Sequence, residues 1–359
     1  MSAPRQARLR ATGQVRLRAT GQVSPRAGQV RECATGEDRE RATGQVSLRA
    51  TRQVRLRALA KLNLDLRVLG KRPDGYHELR TIFQTISLAD SLEIAFTPGR
   101  KTVVELADAL AIPDNLVTRA AYLALDAMRA TGRVEMRLTK RIPMGAGLGG
   151  GSSDAAAVLL ALPVLAGRKL DLPKLSELAQ QLGSDVGFFL LGGTAVGIGR
   201  GTELFPLPDG PAQRALVVAP GVHVSTPQAY RDWSPRLTSE SQQNKIFSFQ
   251  SQVWDRGVES LPRNDFEEVV FPQHPSLAAI KKRLLRAGAS VALMTGSGSA
   301  LFGLYPDRNR ISVALQSLGT HKAFPVSFVT RSGYRRMWWR ALEEHSTGST
   351  WPPQSRYAR

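Results

Sequence analysis

The chain has 359 residues, 42% of them hydrophobic, a formal net charge of +19 and one cysteine, Cys33. That length accommodates one large or two ordinary domains with a buried core, no apolar run reaches the ~20 residues of a membrane span, and a single cysteine excludes an internal disulfide or a cysteine-based zinc site. With no signal-peptide core after the start, the composition predicts a cytoplasmic protein with no membrane partner.

Residues 1–57 hold 13 arginines against 4 acidic residues, about half of the positive excess, so the charge does not predict a specific nucleic-acid partner. Within them Arg8–Val15 and Arg16–Val23 are identical octads, with degraded copies to Val54. A period of eight suits neither helix nor strand burial, and aromatics are nearly absent. Residues 1–53 are therefore expected to be a disordered arginine-rich extension, which we read as a translated tandem repeat.

From Val54 to Leu69 apolar and polar residues alternate, which predicts a strand with Lys61, Asn63 and Asp65 side by side on its polar face. Lys71–Gly75 has the Pro and Asp-Gly chemistry of a turn and presents Tyr76 and His77. Ile82–Ile86 and Ser91–Phe96 are predicted strands joined near Asp90, Asn115–Ala130 has helical spacing, and Val134–Leu138 alternates as a half-exposed strand of an antiparallel sheet.

Pro143–Ala157 reads Pro-Met-Gly-Ala-Gly-Leu-Gly-Gly-Gly-Ser-Ser-Asp-Ala-Ala-Ala. Glycines free the backbone for φ > 0, and Ser152 and Ser153 are expected to cap a helix over Ala155–Leu162, which Pro163 would kink or end. Backbone N–H groups and the positive helix end then face the loop, a cradle for phosphate. Gly145, Gly147 and Gly150 also fit a dinucleotide fingerprint, with Asp171 as the ribose acid. The alternating strand upstream speaks against the parallel sheet this requires. A P-loop would end in Gly-Lys-Ser/Thr, whereas Gly151 is followed by Ser-Ser-Asp.

Leu175–Leu182 is a predicted helix, closed by Gly183-Ser184-Asp185-Val186. Glycines 192 to 201 punctuate a predicted hairpin, and Leu216–Ala219 opens a second run of strands beyond a boundary near Pro206–Arg214. Residues 236–260 read as a surface excursion, Pro275–Ala287 as an amphipathic basic helix, and Val291–Tyr305 as two strands around a glycine turn. The last stretch, Arg331–Arg359, is expected to place a short helix, Tyr334–Glu344, on the body.

Five separated motifs agree. Ala60-Lys61-Leu62-Asn63-Leu64, Arg72-Pro73-Asp74-Gly75-Tyr76-His77, the Pro143–Ala157 loop, Gly183-Ser184-Asp185-Val186 and Thr295-Gly296-Ser297-Gly298-Ser299 together resemble the GHMP small-molecule kinase superfamily. The first two motifs are similar to those of its branch acting on 4-diphosphocytidyl-2-C-methyl-D-erythritol. The resemblance spans about Val54 to Thr330. It implies an α+β fold of two domains, a ribosomal-S5-like N-terminal domain (54–210) and a ferredoxin-like C-terminal domain (211–330), followed by a tail (331–359), with the active site between the domains.

It also implies ATP and Mg²⁺ as cofactors and transfer of phosphate to the 2-hydroxyl of that alcohol, in non-mevalonate isoprenoid precursor synthesis. Pro143, Met144, Gly145, Ala146, Gly147, Leu148, Gly149, Gly150, Gly151, Ser152 and Ser153 would hold the ATP phosphates. Asp185 would be the base and Lys61 its charge partner, and Asn63, Tyr76, His77 and Tyr230 would hold the substrate. No complete set of protein metal ligands is read from the sequence. A monomer or homodimer is expected. Another GHMP kinase, acting on mevalonate, homoserine or a sugar, and a catalytically silent nucleotide-binding homologue are the alternative readings.

Overall fold

The computed structural model describes residues 50–233, 263–348 and 350–358. The chain divides into units Met1–Ser47 and Leu48–Arg359. Residues 1–49 of the repeat and the 236–260 stretch fall outside the described residues; the end of the repeat is described, and Arg52 and Gln53, expected in the disordered extension, already belong to the first strand, where they pair with Phe96 and Ala95.

Two long strands, β1 (Arg52–Lys71) and β2 (His77–Pro98), pair antiparallel along their whole length. The two strands expected around Asp90 are therefore one. Asp90 accepts hydrogen bonds from the amides of Arg141 and Ile142 and pairs with Lys140, so its side chain ties down a neighbouring segment rather than making a turn. Near its C-terminal end β2 pairs with β4 (Gly132–Thr139), which runs parallel to β3 (Val103–Asp108). Toward its start it pairs with β5 (Thr194–Gly199), which forms a hairpin with β6 (Glu203–Pro206). β4 alternates buried and exposed residues, as its sequence pattern requires.

Helices α1 (Leu116–Ala127), α2 (Gly150–Ala166), α3 (Leu172–Leu182) and α4 (Val186–Leu191) cover one face of this sheet. Every residue of α2 from Ser153 to Leu165 is buried, so this helix runs through the middle of the core. Pro163 does not end it. Proline inside a helix costs about 3 kcal/mol, and apolar contacts on all sides of α2 offset that cost. Asp171 accepts a hydrogen bond from the Lys174 amide and caps α3, so the dinucleotide reading of this residue fails.

The second sheet is β10–β7–β9–β8, built from β7 (Arg214–Ala219), β8 (Val291–Met294), β9 (Leu301–Tyr305) and β10 (Lys322–Ser327), all antiparallel. Helices α5 (Thr226–Trp233), α6 (Glu267–Gln273) and α7 (Pro275–Arg286) lie between β7 and β8 in the chain, and α8 (Arg308–Ser317) lies between β9 and β10. That order is the β-α-β-β-α-β arrangement of ferredoxin-like folds. A third cluster of buried apolar residues joins the sheets, with Leu62, Ile82 and Ile86 from the first packed beside Val217, Leu293 and Phe302 of the second.

After β10 the chain returns to the first sheet. Helix α9 (Arg331–Ala341) places Tyr334 and Trp338 in the same core as α2, and Tyr334 donates a hydrogen bond to the Phe189 carbonyl at 2.6 Å. Thr330 caps α9, which explains a start earlier than the apolar spacing suggests. A short hairpin, β11 (Ser346–Thr347) with β12 (Gln354–Ser355), follows. Ser355 donates to the Val164 carbonyl at 2.6 Å, Arg52 lies over the Tyr357 ring, and a ring nitrogen of His345 lies 2.8 Å from the Gln53 carbonyl.

Trp338→Ala is expected to cost about 3–5 kcal/mol, the usual range for emptying a buried aromatic site. Denaturant unfolding checks this. A cost below 1 kcal/mol would mean that α9 is not part of the core.

Candidate active site

The glycine loop runs between the two sheets. Gly145, Gly147 and Gly149 all have positive φ, and two of them touch other chain segments where no side chain fits. A Cβ on Gly147 would lie 2.2 Å from the Thr295 carbonyl oxygen of the second glycine turn, and one on Gly149 would lie 2.9 Å from the Phe189 ring and 3.1 Å from Lys61 Cγ. The loop is held at its backbone: Lys61 N donates to Leu148 O at 3.0 Å and Ala300 N to Ala146 O at 3.2 Å.

The helix starts sooner than expected. Gly149, not a serine, is the N-cap of α2; it lacks a side chain to cap with, and its carbonyl accepts from Ser153 N. Ser152 and Ser153 sit inside the first turn, because the left-handed Gly149 already turns the chain into the helix. The first-turn amides of Gly150, Gly151 and Ser152 have no carbonyl of their own helix to bond, which leaves them facing an incoming anion. Ser153 Oγ is buried and has no hydrogen-bond partner. Behind the loop, Lys140 pairs with both Asp90 and Asp154. Burial outweighs the Lys140 charge at Asp154 and pushes this carboxyl up to about 7.

Lys61 and Asn63 share one side of β1, but the register shifts between Asn63 and Asp65, so Asp65 pairs with Ile82 instead and falls on the opposite side. All three are buried, so the expected polar face is split and lines the interior, not a solvated surface. Lys61 Nζ donates to Asn63 Oδ1 at 2.7 Å and lies 3.2 Å from Asp185 Oδ2. The Lys61 side chain is 4% exposed and that of Asp185 32% exposed, so the carboxylate is the member open to the cleft. Asp185 occupies the N-cap position of α4 and makes no capping bond, which leaves its oxygens available. Asn63 is fixed in turn: its Nδ2 donates to Thr81 Oγ1 at 2.8 Å, and its amide donates to Thr295 Oγ1 at 3.0 Å. Asp65 turns away to Arg67 and Arg80.

A cleft of about 630 Å³ opens over this pair, lined by Lys61, Asn63, Gly147, Gly149 and Asp185 at one end and by Tyr76, His77 and Tyr230 at the other. His77 and Tyr230 stack at 4.9 Å between ring centroids, and Tyr230 meets Phe266 edge to face. Burial, with the Lys71 charge second, holds the His77 imidazole below its ordinary value, and burial together with the Asp185 charge raises the Tyr230 phenol. Tyr76 is half exposed under Arg200, whose guanidinium lies 3.5 Å from the ring centre.

All four residues expected to touch substrate thus line one cleft with Lys61 and Asp185. Sequence reasoning missed Arg200 and Arg231, which line the same cleft, and Thr295, which was visible only as part of a glycine turn. A lone arginine between Gly199 and Gly201 was the available signal for Arg200. A smaller cavity of about 360 Å³ lies against the glycine loop, lined by Asp114–Leu116, Lys140, Pro143 and Met144 and sharing Gly147 and Gly149 with the larger one. No cluster of three metal-ligating side chains occurs among the described residues, and no helix there is long and apolar enough to cross a membrane.

Two sheets meeting at a glycine loop, helix amides aimed into that loop and a buried lysine paired beside it with an aspartate open to the cleft define a small-molecule kinase of the GHMP class. The family model described as GHMP kinases N terminal domain matches residues 115–193, and GHMP kinases C terminal matches residues 252–322. The chain is 71% identical over 303 residues to the 4-diphosphocytidyl-2-C-methyl-D-erythritol kinase of Solibacter usitatus, covering 83% of this chain and 96% of that one. A crystal structure of 4-(cytidine 5'-diphospho)-2C-methyl-D-erythritol kinase superposes with a TM-score of 0.65 at 38% identity, over 76% of this chain and 98% of that chain. The homoserine kinase of Cytophaga hutchinsonii, at 19% identity and a TM-score of 0.61 over 78% of this chain and 96% of that one, shares the fold. This chain belongs to the 4-diphosphocytidyl-2-C-methyl-D-erythritol kinase family of GHMP kinases.

Gly147→Ala puts a methyl group against the Thr295 carbonyl and strains a left-handed backbone that costs an L-residue about 1–2 kcal/mol. Titration calorimetry is expected to show weakened ATP binding, together with a lower melting temperature. Unchanged ATP affinity would mean that the loop does not hold the phosphates.

Proposed function

We propose that this protein transfers the γ-phosphoryl group of ATP to the 2-hydroxyl of 4-diphosphocytidyl-2-C-methyl-D-erythritol, a step of non-mevalonate isoprenoid synthesis. The observation that carries the reading is the Lys61–Asp185 pair, 3.2 Å apart and beside the glycine loop, in a cleft that ends in the His77–Tyr230 stack. The substrate in the names of these relatives has the chemistry this cleft calls for: a flat nucleobase at one end, an anionic linker and an alcohol at the other. Residues 54–210 and 211–330 form the two lobes in this reading, and ATP enters from the smaller cavity with its phosphates along Pro143–Ser153.

Phosphoryl transfer asks chiefly for alignment and charge stabilisation. The aromatic end fixes the substrate so that its alcohol reaches Asp185. Asp185 accepts the hydroxyl proton as the oxygen attacks in line. Lys61, fixed by Asn63 and buried against the loop, orients that carboxylate and offsets charge on the phosphoryl oxygens, where a low-dielectric setting strengthens its effect. Arg200 and Arg231 balance the substrate's diphosphate. His77, held neutral by burial, stacks without adding charge beside a nucleobase.

The donor set suits magnesium carried mainly by phosphate and water, the habit of this ion, with the unpartnered hydroxyl of Ser153 as the available protein oxygen. When bound, the ion neutralises phosphate charge.

Lys61→Ala is expected to lower kcat by roughly a hundredfold or more, in line with removal of a comparable charge donor, and Asp185→Asn by at least as much. ADP release with the cytidyl substrate measures both. Activity within threefold of wild type in either variant would remove that residue from the chemistry. Tyr230→Ala is expected to raise KM for the alcohol with kcat nearly unchanged, the signature of a group that binds ground and transition state alike. A fall in kcat at constant KM would contradict that role.

A further inference from the structure

On another face of the first lobe, β1 and α9 enclose a groove of about 580 Å³ that the reaction does not use. Two sequence periods converge on it. Arg55, Arg57 and Leu59 follow the two-residue repeat of a strand, and Arg336, Met337 and Arg340 follow the spacing of one helix face, so both elements present arginine to the same hollow. The four arginines are exposed. Glu93, 3.7 Å from Arg55, is the one carboxylate paired with them among the described residues, and Arg57 donates to the Ser87 carbonyl. Arg336 and Arg340 have no ion-pair partner there. Four guanidinium groups around one concavity, offset only by Glu93 beside Arg55, give it a local positive potential that favours an anion among them. Each is a planar fork matched to phosphate oxygens. The volume is that of a small-molecule site, and Leu59 and Met337 give it an apolar floor.

We propose that this groove is a second anion site, which takes a small molecule bearing a diphosphate or longer phosphate chain. The site is separate from the catalytic cleft: it shares no lining residue with it. A single phosphate engages one or two of the four arginines, whereas a phosphate chain reaches across from the strand to the helix. Chain length is therefore the property it selects.

The test is titration calorimetry of the full chain with inorganic tripolyphosphate, with the catalytic cleft first saturated with ADP and the cytidyl substrate. One further binding event is expected, weaker for orthophosphate, and reduced on the order of tenfold for each arginine removed in Arg336→Ala and Arg340→Ala, as for loss of a charged hydrogen bond. Arg55→Gln with Arg57→Gln gives the same loss from the strand side. Kinase activity without added polyphosphate and the melting temperature are expected to stay at wild-type values in these surface variants. No binding to the saturated enzyme, or binding that the four substitutions leave unchanged, overturns the proposal. So does a groove that ignores tripolyphosphate yet retains a single-stranded RNA 20-mer, which would make it a nucleic-acid surface instead.

Discussion

The contact on which the rest of the site depends is the one between Gly147 and the Thr295 carbonyl. There the loop of one lobe passes so close to the turn of the other that a methyl group does not fit. Hydrogen bonds from Thr295 to Asn63 and from Ala300 to Ala146 extend this seam. Asn63 is therefore held from both lobes, and Lys61 is held by Asn63. The charge beside the phosphates is positioned by backbone packing between sheets, not by a flexible side chain finding its own place.

Burying Lys61 has a cost that shapes its surroundings. An ammonium group out of water is tolerated only with partners, and Asn63 Oδ1 with Asp185 supplies them. A second arrangement of this kind lies behind the loop, where Lys140 sits between Asp90 and Asp154 and Asp90 also holds the Arg141 and Ile142 amides. Buried lysines thus fix the glycine loop from two sides. The loop can lack side chains because its neighbours carry the charges that a P-loop keeps within its own sequence.

Much of this was legible beforehand. Alternation in Val54–Leu69 and Val134–Leu138 identified strands, and glycine density identified the phosphate loop, because in both cases the pattern is the cause of the structure. The misses have physical reasons too. Ser152 and Ser153 have the chemistry of caps, but a left-handed Gly149 had already begun the helix. Pro163 and Asp90 carry breaker and turn signals that tertiary contacts override. Whether Lys61 faced solvent or an interior could not be read from β1, since the second lobe that covers it begins some 150 residues later. Arg200 gave no signal at all beyond its glycine neighbours.

The return of α9 and the β11–β12 hairpin to the first lobe bears on how the protein is made. Tyr334 and Trp338 fill the core around α2 and α4, and Ser355 and Tyr357 reach back to α2 and to Arg52 at the start of β1. During synthesis the first lobe leaves the ribosome with that core open, and more than a hundred residues of the second lobe must follow before its missing aromatics emerge. Lobes so interleaved cannot fold strictly one after the other. The nascent first lobe carries an uncovered apolar surface throughout that interval, the kind of exposure that chaperones shield.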